Sequence, residues 1–120
     1  MEKEENIRIL YKKINQPPKE LVIKNDLKTM QKLVDGLIEV VPYMDNILMI
    51  CNEEGKICNK PINLVFDNDL IAGDCFFVRD SKSGNFSSLK SKEIDKIKDD
   101  IKNRSIVYKG RKELAVENEL

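Results

Sequence analysis

The chain has 120 residues, 41% of them hydrophobic and 35% charged, and its 21 basic residues balance its 21 acidic residues. This length fits one domain that buries a single hydrophobic core. A net charge of zero argues against a general nucleic-acid binder, because such proteins need a basic excess to neutralise phosphates. No apolar run approaches the roughly 20 residues that span a bilayer, and the acidic start differs from a signal peptide. We therefore expect an intracellular protein.

The first part of the chain predicts a β-hairpin followed by a helix. Residues 6–14 and 20–24 have the alternation and apolar centres of strands, and the prolines between them favour a turn. Either residue of the 25–26 pair suits a helix N-cap, and apolar side chains then recur at helical spacing through residues 26–35. Gly36 stands where a glycine commonly ends a helix in the left-handed conformation.

The middle of the chain predicts a second hairpin and a central strand. β-Branched residues favour a strand at residues 37–41, which Pro42 stops, and residues 47–51 return beside it. Residues 70–79 are apolar enough to form a central strand. Gly73 lies in its interior, which indicates a bulge or a close approach of another backbone.

The last part predicts a helix on the surface of the protein. Ser88 or Ser91 can cap this helix, whose remaining positions up to residue 104 are almost all charged or polar. Its narrow apolar stripe consists of Leu89, Ile94, Ile97 and Ile101. The stripe is the face that we expect to pack on the rest of the domain.

Together these elements predict an α+β fold in the order ββαββ-β-α. We expect one domain over residues 6–103, with a mostly antiparallel sheet and both helices packed on one face. Residues 62–67 are too short for an independent helix and are left as a turn or a short strand. Residues 1–5 form an N-terminal extension. Residues 104–120 form a tail that is either disordered or in contact with another subunit.

Four separated segments carry a resemblance to a known family. They are Gly36–Pro42, Cys51–Lys56, Pro61–Asn63 and Ile71–Phe77. In this order they resemble the family called domain of unknown function 3846. The resemblance implies a small α+β fold, a setting in phages, plasmids and their bacterial hosts, and hence a place in the bacterial cytoplasm. It implies no established activity, so any role must be argued from the residues.

The cysteines are weak candidates for metal binding or catalysis. Cys51 and Cys58 are separated by six residues, Cys75 stands among apolar residues, and the chain has no histidine. Structural zinc usually takes four ligands in closely spaced pairs, and a reactive thiol usually needs a histidine or another cation beside it. We therefore predict no metal and no cofactor, and we expect Cys75 to be a core thiol.

The stretch Cys51–Asn63 is the best candidate for a site, although a charged turn explains most of it. Adjacent carboxylates point to opposite faces of an extended chain, so only one can enter a given pocket. The predicted ligand-binding residues are Asn52, Glu53, Glu54, Lys56, Asn63 and Arg79, and the predicted turn residues are Gly36, Gly55, Pro61 and Gly73. Asn63 either locks the Asn52–Lys56 turn or presents its amide to a ligand.

Three functions are compatible with the sequence. The favoured one is a non-enzymatic accessory protein of a mobile element that binds a host protein or a small, nucleotide-like ligand. The second is a small enzyme with Glu53 or Glu54 as general base. The third is a nucleic-acid accessory factor that uses the lysine-rich second helix and the tail, although the charge balance argues against nucleic acid. Self-association into a homo-oligomer is left open, and no membrane is expected as a partner.

Overall fold

The computed structural model describes residues 4–108 and 114–116. The helices are α1 (Leu27–Val34) and α2 (Ser91–Ile101). The strands are β1 (Asn6–Lys12), β2 (Lys19–Lys24), β3 (Ile38–Met44), β4 (Ile47–Asn52), β5 (Ile62–Val65), β6 (Leu70–Ala72), β7 (Cys75–Asp80), β8 (Phe86–Ser87), β9 (Ile106–Tyr108) and β10 (Leu114–Val116).

The main sheet has six strands, and every pairing in it is antiparallel. Five strands lie in the order β2-β1-β7-β4-β3, and β8 pairs with β7. Two small antiparallel hairpins, β5-β6 and β9-β10, lie outside this sheet. The predicted α+β fold and both predicted hairpins, β1-β2 and β3-β4, are therefore confirmed. Neither helix in the described part of the chain is long and apolar enough to cross a membrane.

The two helices cover opposite faces of the sheet, so the prediction of both on one face is wrong. Consecutive residues of β7 separate the two layers: Phe76 packs in one cluster with Met30 of α1, and Phe77 packs in the other with Ile97 of α2. Both phenylalanines are fully buried. A central strand that is apolar on both faces must be packed against other elements on both sides. The consecutive apolar residues of β7 already indicated this arrangement.

Helix α1 begins where the sequence predicts, but it ends differently. Asp26 caps the helix, and its carboxylate accepts a hydrogen bond from the Thr29 amide at 2.8 Å. The left-handed residue at the other end is Asp35, with φ of 57°, and not Gly36. Gly36 has φ of 151°, and a Cβ there would lie 2.5 Å from Nδ2 of Asn52. A glycine is therefore needed because Asn52 approaches the backbone at this point.

The predicted central strand at residues 70–79 is two strands in different sheets. Gly73, with φ of 91°, separates β6 from β7, and its amide donates to the Pro61 carbonyl at 2.8 Å. Its own carbonyl accepts from the side-chain amide of Asn63 at 3.0 Å. These contacts hold the chain against β5, so β6 pairs with β5 instead of extending β7. The close approach of another backbone that the sequence predicts at Gly73 is this contact with Pro61. A Cβ at Gly73 would also lie 2.8 Å from the Lys60 side chain.

Pro42 does not end a strand, because β3 continues through it to Met44. β3 is the last strand of the sheet order, and its pairing with β4 is irregular between Pro42 and Met44. Proline, which lacks an N–H group, is tolerated in edge strands and at such irregularities. The prediction of a stop at Pro42 was therefore too strict.

Helix α2 buries the predicted apolar stripe on the sheet. Its N-cap is Lys90, in place of the predicted Ser88 or Ser91. The Ser88 hydroxyl instead accepts a hydrogen bond from the Arg8 amide of β1 at 3.0 Å. The four stripe residues are all 3% exposed or less. Leu89 precedes the helix, so the predicted helical face is confirmed for Ile94, Ile97 and Ile101.

The two ends of the described chain contact the domain. The Asn25 side chain donates to the Glu4 carbonyl at 3.0 Å. At the other end, Ser105 is buried and forms a bridge with Leu64 of β5. The backbone of the predicted tail then forms β9 and β10. The basic residues of that tail, Lys109, Arg111 and Lys112, lie outside the described residues.

Candidate binding groove

The stretch after β4 is a turn held by its own backbone hydrogen bonds. The Cys58 amide donates to the Glu54 carbonyl at 2.8 Å, and the Lys60 amide donates to the Gly55 carbonyl at 3.0 Å. Gly55 itself is buried, and a Cβ there would run into the Ala72 carbonyl of β6. The backbone between β4 and β5 is therefore tightly organised, and the predicted turn role of Gly55 has a steric reason.

Asn52 joins this turn to the end of α1. It is 7% exposed, and its Nδ2 donates to the carbonyls of Val34 and Asp35 at 3.0 and 2.9 Å. Its Oδ1 accepts from the Glu54 amide at 2.7 Å. The side chain thus satisfies carbonyls that a helix C-terminus leaves unpaired. Both polar atoms of Asn52 have partners within the chain, which gives the residue a structural role.

Asn63 has a structural role of the same kind, with Lys12 as its partner. Asn63 is fully buried, its Oδ1 accepts from the Lys12 ammonium at 2.9 Å, and its Nδ2 donates to the Lys12 carbonyl at 2.8 Å. Of the two alternatives left open for Asn63, neither describes these contacts: its amide faces Lys12 and Gly73, and not the Asn52–Lys56 turn.

Lys12 was missed by the sequence analysis. It is 1% exposed, and its ammonium also donates to the Lys13 carbonyl at 2.9 Å. The only signal in the sequence is alternation along β1, which places Lys12 on the same face as Leu10. The neighbouring Lys13 is exposed and makes the pair look like an ordinary solvated run.

The charged residues predicted for the site are not all brought together. Glu53, Glu54 and Lys56 are exposed in the turn, and Lys56 forms an ion pair with Asp69. Arg79 lies at the far end of the sheet, opposite the first residue of β4, and donates to Glu93 of α2 at 2.7 Å. Asn52 is the last residue of β4, so Arg79 and the turn are separated by about a strand length, roughly 17 Å.

A groove runs between β3 and the β5-β6 hairpin, on the face of the sheet that α2 covers. It consists of two adjoining cavities of about 360 Å³ and 270 Å³, which share Val41, Asp69 and Ile71. The larger one, here called the turn cavity, is further lined by Glu39, Cys51, Asn52, Glu53, Gly55, Lys56, Ile57, Leu70 and Ala72. The smaller one, here called the aromatic cavity, is further lined by Pro42, Tyr43, Met44, Met49, Phe66, Asp100 and Arg104.

Polar contacts hold the wall of the aromatic cavity in place. The Tyr43 hydroxyl donates to Asp100, and the Arg104 guanidinium donates to the same oxygen at 3.0 Å. The guanidinium also lies 4.8 Å from the centre of the Phe66 ring, a cation–π distance. Burial, together with the Asp100 carboxylate, raises the pKa of Tyr43, so its hydroxyl stays protonated. The cavity thus combines an apolar lining with one fixed ion pair.

The turn cavity carries an excess of acidic groups. Three carboxylates line it, those of Glu39, Glu53 and Asp69, against the single ammonium of Lys56. The hydrogen bond from Lys56 lowers the pKa of Asp69, so this carboxylate is charged at neutral pH. A basic or neutral polar group therefore suits this half of the groove better than an acidic one.

Cys51 lines the turn cavity as a protonated thiol. It is 3% exposed, and its sulfur lies 3.7 Å from Oε1 of Glu39. Burial, together with the Glu39 carboxylate, raises the pKa of Cys51 to about 12. The thiolate is the nucleophilic form of cysteine, so this arrangement works against nucleophilic catalysis. Cys75 is fully buried, as expected of a core thiol. Over residues 4–108 and 114–116, no group of three or more cysteine and carboxylate side chains is arranged to hold a metal ion.

The sequence comparisons agree with the resemblance found in the separated segments. No curated protein and no solved structure matches the chain. A family model described as domain of unknown function DUF3846 matches residues 7–102. The match includes both helices, the six-stranded sheet except for the first residue of β1, and most of the groove. The chain therefore belongs to the DUF3846 family.

Proposed function

We propose that the chain is a small non-enzymatic binding protein of a mobile element, and that the groove between β3 and the β5-β6 hairpin receives its partner. The observation that carries the proposal is the pair of adjoining cavities, about 360 and 270 Å³, that share Val41, Asp69 and Ile71. Binding sites of this kind combine an apolar lining with a few fixed polar groups. The mobile-element setting is supported by the resemblance described above. The partner is a protein of the bacterial host or a small ligand.

An enzymatic function has less support from the described residues. A general base is expected in a concave site that shields it from water, but Glu53 and Glu54 are both exposed. Of the two, only Glu53 lines the groove. Cys51 is kept protonated by burial. The groove therefore offers surfaces and fixed charges for binding more clearly than it offers a reactive group.

Nucleic-acid binding also has less support, because two of the three lysines of α2 are matched by carboxylates. Lys96 lies 3.2 Å from Asp45, and Lys98 lies 3.8 Å from Glu20. Lys102, directly after the helix, lies 3.6 Å from Asp99. Such pairing reduces the positive potential that attracts phosphates.

The proposal is tested with two neighbouring valines of β3. Val41 lines both cavities, whereas alternation along the strand places Val40 on the opposite face. Phenylalanine suits a strand at either position, so Val41→Phe fills the groove and Val40→Phe is the matched control. Native mass spectrometry of the protein purified from a bacterial host reports its subunit number and any retained partner.

We expect retained partner to fall by about tenfold or more in Val41→Phe and to be unchanged in Val40→Phe. Thermal unfolding of both variants checks that they remain folded. Equal retention by the two variants would contradict the groove as the site. A bare monomer that carries neither protein nor small ligand would contradict the binding function itself.

A further inference from the structure

The strand β3 forms an edge of the main sheet whose outer side is open over the described residues. In the strand order it pairs with β4 alone, and residues 4–108 and 114–116 contain no strand on its other side. The opposite edge, β2, carries three charged side chains, Lys19, Glu20 and Lys24, whereas β3 carries only Glu39. Lysines on an edge strand discourage pairing with other chains, and β3 has none.

The backbone direction of β3 can be read from one hydrogen bond. The Leu37 carbonyl accepts from the Glu53 amide at 2.8 Å, so Leu37 faces the β4 side. In an antiparallel strand, the N–H and C=O groups of successive residues point alternately to one side and the other. The backbone groups of Ile38 and Val40 therefore point outward, away from β4. Pro42 has the same parity, so its nitrogen, which lacks a hydrogen, also faces outward. The open edge therefore offers the N–H and C=O groups of Ile38 and Val40.

The groove lies beside this edge, on the face where Val41 and Tyr43 pack. A strand added antiparallel to β3 would place side chains directly opposite Glu39 and Val41 on that same face. The position opposite Glu39 meets the acidic turn cavity, with Glu53 and Asp69 also in its lining. The position opposite Val41 meets the aromatic cavity. These two positions are two residues apart on the added strand.

We propose that the occupant of the groove is an extended polypeptide segment that adds antiparallel to β3 and places a basic and an apolar residue, two positions apart, in the turn and aromatic cavities. This inference rests on the proposed function, whose groove it assigns to a partner of stated chemistry. Main-chain hydrogen bonds to Ile38 and Val40 supply affinity, and the alternate side chains supply specificity. The three carboxylates of the turn cavity select the basic residue.

A second copy of the chain fits the edge less well. An antiparallel pair of β3 strands would bring the two grooves to the same side of one joined sheet. In the register that pairs Ile38 of each copy with Val40 of the other, the two Glu39 side chains would lie directly opposite one another. Repulsion between like charges disfavours this arrangement, whereas a basic segment neutralises it.

The test is a titration of the full-length protein with the capped peptide Ser-Lys-Thr-Leu-Thr-Lys-Ser, followed by two-dimensional amide NMR. We expect the amide signals of Ile38–Val41 to shift as the peptide binds. The permuted peptide Ser-Lys-Leu-Thr-Thr-Lys-Ser places leucine on the face opposite the lysines, so it is expected to bind at least about fivefold more weakly. Equal affinity of the two peptides would overturn the proposed spacing.

Methylation of the peptide backbone tests the hydrogen bonds without altering the protein. The threonine opposite Val40 points its N–H at β3, and the leucine next to it points its N–H away. We therefore expect N-methylation of both threonines to abolish binding, and N-methylation of the leucine to change affinity less than about twofold. Binding that is unaffected by either methylation would show that the peptide does not add as a strand.

Four protein variants, two in each comparison, complete the test. Glu39→Lys should lower the affinity for the peptide about tenfold. Glu54→Lys changes an exposed charge outside the cavity lining, so it should change the affinity less than about twofold. Val40→Pro removes the outward N–H and should abolish binding, while Val40→Thr retains it. Equal affinities for the two charge variants would overturn the charge selection.

The combined results of these experiments distinguish a failure of this inference from a failure of the proposed function. If Val41→Phe abolishes retention of a small molecule and the peptide never binds, the groove is a site but its occupant is not a polypeptide. If the purified protein is a dimer that Val40→Pro converts to a monomer, a second copy occupies the edge. Either result would overturn the inference, and the first would leave the groove as the binding site.

Discussion

The ammonium of Lys12 donates a hydrogen bond to Oδ1 of Asn63 across 51 positions of the sequence, and both side chains are almost completely buried. The contact joins the end of β1 in the main sheet to β5 in the small hairpin that forms one wall of the groove. A buried charge is costly unless it is hydrogen-bonded, so this pair constrains how the two layers dock.

Removal of the Asn63 amide should therefore destabilise the fold. Asn63→Ala takes one acceptor from the Lys12 ammonium and leaves the carbonyls of Lys12 and Gly73 without this donor. We expect a loss of about 3 kcal/mol in the free energy of unfolding, measured by urea denaturation. Asn68→Ala, at an exposed bend, is the control and should change stability by less than about 0.5 kcal/mol. Equal denaturation midpoints for the two variants would refute a structural role for Asn63.

The close approach of Asn52 to Gly36 should make Gly36 intolerant of a side chain. In Gly36→Ala the new Cβ would lie 2.5 Å from Nδ2 of Asn52, at a backbone φ of 151°. Gly84→Ala is a useful comparison, because φ is 88° there but no atom lies within 4 Å of the new Cβ. We expect losses of about 1 kcal/mol for Gly84→Ala and at least about 2 kcal/mol for Gly36→Ala. A similar loss in both would mean that Asn52 moves aside at little cost.

The three cysteines should differ in their reaction with a thiol reagent. Cys58 is exposed in the turn, whereas Cys51 and Cys75 are buried, and burial raises the pKa of both buried thiols. At about pH 8 we expect one fast-reacting thiol in the native protein and three in guanidinium. Cys58→Ser should abolish the fast phase. A fast phase that survives this change would show that Cys51 is accessible from the groove.

Stability should fall as the solution becomes alkaline. Burial raises the pKa of Cys51 from 9.0 to about 12, and burial together with Asp74 raises the pKa of Tyr11 from 10.0 to about 12. The unfolded chain therefore releases these protons at lower pH than the folded protein does. The stabilisation is complete below about pH 9 and is lost as pH rises towards about 12.

Urea denaturation at a series of pH values from about 8 to about 11 measures this loss. Cys51→Ala removes one of the titrating groups and should make the decline less steep than in the unaltered protein. A free energy of unfolding that stays constant over this range would contradict the raised pKa values.

Arg79 should act on stability and not on groove binding. Its guanidinium donates to Oε2 of Glu93, whose Oε1 accepts from the Lys90 amide at the start of α2. Glu93→Ala removes both contacts and should cost about 1–2 kcal/mol of unfolding free energy. Arg79→Ala removes one of them and should cost about 0.5–1 kcal/mol. Glu54→Ala, at an exposed position outside the cavity lining, is the control. Weaker groove binding in Arg79→Ala with unchanged stability would restore Arg79 as a ligand residue.

Local sequence patterns determined most elements of the fold. The Asp26 cap, the spacing of the α2 stripe and the turn-forming residues of both hairpins act over short distances, where one segment supplies all the interacting groups. The family was also readable from separated motifs in the right order. The division of residues 70–79 into two strands could not be predicted from local sequence, because Gly73 interrupts this segment through contacts with Pro61 and Asn63.

The composition of the groove could be predicted only in part. The turn residues Glu53 and Lys56 were identified from their stretch, but Asp69, Asp100 and Arg104 come from elements whose docking the sequence does not encode locally. Lys12 looked like a solvated lysine because nothing near it in sequence shows that β5 covers its ammonium. Arg79 was placed in the site, although the strand register puts it at the other end of β4.

The sequence by itself determined a charge-balanced α+β domain, its hairpins and helices, and its family. Only the tertiary structure decided which side of the sheet each helix covers, that Asn52 and Asn63 serve the fold, and that β3 is left as an edge beside an acidic and aromatic groove. The physical reason is the separation along the chain over which each interaction acts. Propensity, capping and turn chemistry act between neighbours, whereas burial and hydrogen-bond pairing depend on segments that meet only after the chain has folded.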